Sequence, residues 1–170
     1  MPQPVSRGGL LGVLTALAAA VNMGGNMASG RLLQRGWPPR ATLWLGFGAM
    51  ALGSTLAFAT FTEGWPWLRY AGVLLFSALG GLVPGTLFSL AVRLAPGEAQ
   101  VATTVGWVQQ LSALGQFIGP PTAAALAASA GGWQLTPLFT VACCVGGALL
   151  AVLAQRALVR TSDQHLQSDA

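Results

Sequence analysis

The side chains able to do chemistry in this chain are amides and hydroxyls set in apolar surroundings. Thr15, Asn22, Asn26 and Ser29 follow one another at intervals of seven, four and three, which places them on one face of a helix. Gln109, Ser112 and Gln116 repeat the pattern at three and four, with Thr103, Gly106 and Gln110 on a neighbouring face. Ser77, Thr86 and Ser89 surround Gly80–Gly81 and Pro84–Gly85. Such groups hold a polar solute by hydrogen bonding, or bind one helix to another; they do not cleave or transfer anything by themselves. Both uses stay open for each residue. Amides hydrogen-bond across helix interfaces for about 0.6 to 2 kcal/mol, and polar side chains in apolar helices also line cavities.

The groups that catalysis needs are elsewhere or missing. Glu63 and Glu98 fall in breaker-rich segments, and Asp163 and Asp169 in the polar tail. The sequence therefore has no paired carboxylates, no Ser–His arrangement and no phosphate-cradling Gly loop before a helix. No carboxylate for proton coupling lies deep in an apolar segment either. His165 has no Cys, Asp or Glu at ligand spacing, so no metal is expected. Cys143 and Cys144 are neighbours in an apolar run and read as packing residues. The sequence points away from an enzyme, and no cofactor is expected.

The elements that carry these residues are set by composition. Of 170 residues, 54% are hydrophobic and 7% charged, against about 25% charged in a soluble domain. So few charges cannot cover a water-facing surface, and so much hydrophobicity excludes a disordered chain. The lipid bilayer is the remaining partner. The net charge of +4 comes from arginines dispersed among apolar segments, with no lysine, which argues for topology rather than nucleic acid. A spanning helix takes about 20 apolar residues. Five stretches suffice, at about 9–29, 41–62, 67–94, 101–129 and 133–158, between a short tail at 1–8 and a polar, frayed tail at 159–170. The expected fold is an all-α integral membrane bundle.

Arginines orient it. Arg31, Arg35, Arg40, Arg93, Arg156 and Arg160 fall on one side, and Arg7 and Arg69 on the other. The positive-inside rule puts the carboxy terminus in the cytoplasm and the amino terminus outside. Trp65, Trp67 and Trp133 at the outer turns, and Trp37 in the first inner loop, suit interfacial anchoring. Arg7 before Leu10–Ala20 has the outline of a secretory signal, but apolar character continues to about Ala28.

Glycine and proline add a packing signal. Gly81-x-x-x-Gly85 and Gly115-x-x-x-Gly119 let helices approach closely. Pro84, Pro120 and Pro121 each remove a helix donor in mid-span, and broken helices recur in transporters. Spans one, three and four carry the amides and glycines and are expected to line something polar. Spans two and five are expected to face mainly lipid.

Gly30-Arg31-Leu-Leu-Gln34-Arg35-Gly36-Trp-Pro-Pro-Arg40 resembles a degenerate copy of the loop motif of the major facilitator superfamily. Gln34 stands near the place of the motif's acidic residue, and the spacing to Gly36 is one short. Gly115-Gln-Phe-Ile-Gly119-Pro120-Pro121 is similar to the Gly-x-x-x-Gly-Pro pattern of the family's fifth and eleventh helices. Gly81–Phe88 and Ala102–Gln110 resemble its cyanate-transporter-like branch. The resemblance covers about residues 8 to 158, and implies helices eight to twelve, with helices two to six as the alternative register.

It further implies secondary transport of a small solute, such as a cyanate-like or organic anion, in a bacterial plasma membrane. The first half of a transporter is then expected as a missing partner. Asn22, Asn26, Ser77, Gln109, Ser112 and Gln116 would contact the pathway. Gly30, Arg31, Arg35, Gly36 and Arg40 would form the conformational loop, and Gly81, Pro84, Gly85, Gly115, Gly119 and Pro120 the kink and packing positions. The other reading is a membrane interaction or assembly protein that transports nothing.

Overall fold

The computed structural model describes residues 7–168, with side chains described from Gly8 to Arg156 apart from Ala154. Residues 1–6 of the expected first tail, Asp169 and Ala170, and the side chains of Arg160, Asp163 and His165 lie outside the described residues. Among the described residues the chain is helix and short connections, with no strand. In order these are α1 (Arg7–Gln34), α2 (Pro39–Phe58), α3 (Pro66–Gly80), α4 (Leu82–Leu94), α5 (Val101–Ser129) and α6 (Thr136–Ser168).

The ends of these helices follow from local chemistry. Pro39 and Pro66 open α2 and α3, where a fixed φ helps and the missing N–H has no partner to lose. At the end of α1 the N–H of Trp37 donates to Leu32 O at 3.0 Å and that of Gly36 to Leu33 O at 3.2 Å. This paired capping puts Gly36 at φ 85°, a conformation that favours a residue without Cβ. Gly131, at φ 68°, closes α5 in the same way.

By length and composition four stretches can cross a bilayer: Gly8–Gln34, Pro39–Phe58, Pro66–Leu94 and Trp133–Leu153. The expectation was five. The fourth expected span is α5, whose 29 residues are long enough, but Gln109, Gln110 and Gln116 leave it less apolar than the rest. The third span runs from Pro66 to Leu94 as α3 and α4, which meet at Gly81, where the backbone stays helical at φ −59° and ψ −22° but the hydrogen-bond ladder is interrupted. Pro84 offers no N–H to the carbonyl of Gly80, one turn earlier, and its ring crowds that carbonyl. Pro120 and Pro121, by contrast, sit within an unbroken α5. At the other end, α6 continues as helix through Ser168, where a frayed tail was expected.

α2 is the centre of the packing, against α3 on one side and α6 on another. It is the most buried of the four spans, which corrects its expected place facing lipid. Small residues explain this. A Cβ on Gly53 would lie 2.6 Å from Gly72 O, and one on Gly72 would lie 2.7 Å from Gly53 O. Gly46 meets α4 at Val83, and Gly147 of α6 lies against the Phe47 ring. At the Trp-rich end, Arg69 Nε donates to Ala57 O at 2.7 Å, closing a free carbonyl at the end of α2. Phe58 and Trp133 approach there with ring centroids 6.2 Å apart. α1 lies across α3 and α4, whereas α5 packs chiefly on α4 and is otherwise open.

Candidate functional site

The polar residues of α1 meet the rest of the bundle where α3 gives way to α4. Asn22 Nδ2 donates to Ser77 O at 2.9 Å, and Ser77 Oγ donates back to Ala18 O at 2.9 Å. Ser77 O also accepts from the N–H of Gly81 at 3.2 Å. Asn22 is thus anchored on the last turn before the helix break. Two turns further along α1, Ser29 Oγ donates to Asn26 O at 2.7 Å and lies in contact range of Gly85.

Glycines make this seam possible. A Cβ on Gly81 would collide with the Asn22 carbonyl, and one on Gly25 with that of Ala78. A Cβ on Gly85 would lie 2.8 Å from Asn26 O and 3.0 Å from Asn26 Oδ1. The spacing Gly81-x-x-x-Gly85 therefore sits directly against the amide stripe of α1. Asn22 keeps Oδ1 and one N–H beyond its bond to Ser77, and the Asn26 amide makes no hydrogen bond among the described residues. Chemically the seam offers neutral donors and acceptors beside an interrupted helix.

The second stripe stands apart from the first. Gln109, Ser112 and Gln116 are exposed on α5, with Gln116 Nε2 donating to Ser112 Oγ at 3.3 Å. Gly115 and Gly119 have open space where a Cβ would go, and Pro120 is exposed beside them. Trp107, Leu111, Leu114 and Ile118 occupy the opposite face and are also exposed. The structure brings Asn22 and Ser77 together, sets Asn26 beside them, and leaves the three α5 residues as a separate polar face.

The inner loop is a tight connection with a capping role. Gly36 ends α1, Gly30 and Arg31 lie in its last turns, and Arg35, Gly36 and Arg40 are exposed. None of these arginines makes an ion pair among the described residues. No group of His, Cys, Asp or Glu there is placed to hold a metal.

The sequence model of the Major Facilitator Superfamily matches residues 6–169. The chain belongs to the major facilitator superfamily. It is an integral membrane protein with a transporter-type fold, whose setting is the bilayer and whose general class of partner is a small solute. The family's members are transporters rather than enzymes. No curated protein and no solved structure matches this facilitator chain.

Sequence spacing reached most of the seam but not all of it. Tyr70 OH donates to Leu14 O at 2.9 Å, tying the start of α3 to α1. The signal was there: a tyrosine in an apolar segment needs a partner for its hydroxyl. Thr42, Ser54 and Thr86 are buried with no partner for their hydroxyls among the described residues. Their partnerless state depends on how helices pack, which no spacing rule supplies.

Proposed function

We propose that this chain forms one wall of the solute pathway of a secondary transporter for small anions, an organic or cyanate-like anion among them. The observation that carries the reading is the polar face of α5, Gln109, Ser112 and Gln116, exposed on a helix of a facilitator fold. Amides in an apolar helix are costly unless they meet protein or water, and a solute pathway between two helix sets supplies both. Asn22, Asn26 and Ser77 extend the wall at the α3–α4 break. Amide and hydroxyl donors suit an anion, and no described carboxylate lies within α1 to α5 to repel one.

In this reading the chain corresponds to helices eight to twelve, close to the cyanate-transporter-like branch. It works against a further set of helices, with its amino terminus outside and its carboxy terminus in the cytoplasm of a bacterial cell. The test is genetic and keeps the protein in its own setting. Deleting the gene is expected to abolish uptake of one member of a panel of small radiolabelled anions. The wild-type gene restores it, and the double variant Gln109→Ala, Gln116→Ala does not. Unchanged uptake of every anion, or full rescue by the variant, overturns the proposal.

A second reading has its own observation. Gly115 and Gly119 leave a small-residue face of α5 open, the kind of surface on which another membrane helix docks. A membrane assembly protein would keep that face occupied, and loss of the gene would leave uptake unchanged.

A further inference from the structure

A cavity of about 490 Å³ opens between α2, α4 and α6, on the far side of α2 from the Trp-rich end. Its walls are almost wholly apolar, with Leu43 and Phe47 from α2, Leu90 and Leu94 from α4, and Leu150 from α6. The volume lies in the range of about 300–1,000 Å³ of small-ligand sites. It does not belong to the amide seam, since none of Asn22, Asn26, Ser77, Gln109, Ser112 or Gln116 lines it.

Its shape follows from the helices that line it. From Arg40 to Phe47 along α2, and from Leu94 back to Leu87 along α4, the lining runs for two turns, about 10 Å at the helical rise. It is a slot lying along the helix axes, apolar at its depth and polar at one end. That end holds Arg40 and Gln155. Arg93 precedes Leu94 and Arg156 follows Gln155, both exposed. None of the three arginines has an acidic partner among the described residues. The start of α2, at Pro39, adds the positive end of its helix dipole to the same mouth.

An apolar slot of this length, with Arg40 at its mouth and no acidic partner for it among the described residues, matches one kind of molecule in a bilayer. We infer that the slot binds an anionic phospholipid, with an acyl chain along Leu43, Phe47 and Leu90 and the phosphate held by Arg40. The chain gains by leaving no void beside Gly147, where α6 meets the Phe47 ring. The head group gains by charge, because an arginine at a membrane surface attracts anionic lipid. A zwitterionic lipid offers the same chain and a weaker match at the mouth.

The test uses the purified full chain in detergent, with phosphatidylglycerol, phosphatidylcholine or free glycerol phosphate added, read by native mass spectrometry. Phosphatidylglycerol is expected to bind about fivefold more tightly than phosphatidylcholine, the scale of one arginine at a membrane surface, and glycerol phosphate not at all. Arg40→Gln should remove that preference while keeping residual binding of both lipids. Ala151→Phe, which fills the slot, should weaken both. A photoactivatable phosphatidylglycerol on the unaltered chain should label peptides of α2, α4 and α6, a readout that needs no variant to fold. Equal binding of the two lipids, a preference that survives Arg40→Gln, undiminished binding in a folded Ala151→Phe protein, or labelling confined to other helices overturns the inference. Binding of glycerol phosphate alone overturns it too, since the mouth would then be a free-anion site.

Discussion

At the residue scale, two kinds of polar group behave oppositely on removal. Asn22 is joined to Ser77 O across a helix interface, and its loss leaves that carbonyl with only the N–H of Gly81. Asn22→Ala is expected to destabilise the bundle by about 0.6 to 2 kcal/mol, seen as a lower midpoint of thermal unfolding in detergent. An unchanged midpoint would show that the bond contributes nothing. Thr86 is the reverse case: fully buried, its hydroxyl has no partner. A buried hydroxyl left unpaired costs about 1–3 kcal/mol, and valine has the same shape without that cost. Thr86→Val should therefore leave the unfolding midpoint unchanged or raise it. A fall of several degrees would mean that the hydroxyl is bonded in the membrane. The contrast separates a polar group that holds two helices together from one whose burial the bundle merely tolerates.

At the element scale, the break between α3 and α4 organises the seam. Pro84 and Gly81 interrupt the hydrogen-bond ladder there, and Ser77 O and Gly81 lie against α1 at that point. Pro84→Ala restores the donor that Gly80 O lacks, so the ladder across Gly81 should close and the helix from Pro66 to Leu94 should straighten. Spin labels at the exposed positions 73 and 92 should then move apart toward the roughly 28 Å rise of a continuous helix. An unaltered distance would place the cause of the break in Gly81 and the packing of α1 instead. The proline was legible from sequence, as were the helical character of the chain and the amide spacing of α1, because these depend on neighbours along the chain. The central place of α2 was not. Its glycines and alanines look like a lipid-facing surface until Gly53 is seen meeting Gly72, and small residues carry no mark of what approaches them. Seven apolar turns and a polar tail were equally uninformative about the end of α6. The rule that reads polarity as a loop has no means of telling a loop from a helix that leaves the membrane.

At the scale of the whole molecule, α5 poses the sharpest question. It is long enough to span, less apolar than the other four spans, and open on both its faces. A helix with Gln109, Gln110 and Gln116 is poorly suited to lipid on every side, so its insertion depends on what covers the amides. If that is a water-filled pathway, cysteines placed at 109, 112 and 116 will react with a charged thiol reagent that cannot cross membranes. Cysteines at 107, 111, 114 and 118, on the opposite face, will not. The background needs Cys143 and Cys144 replaced by alanine, since Cys143 is exposed. Protection of position 116 by a transported anion, with position 111 inert throughout, would tie the polar face to the pathway. Silence at all seven positions would instead mean that the amides are buried against another helix, and that the small face of Gly115 and Gly119 is an assembly surface. Reaction at all seven would mean that α5 lies outside the hydrocarbon altogether. Each pattern assigns a different neighbour to the same stripe, so the stripe's chemistry is decided by the partner it meets and not by its spacing alone.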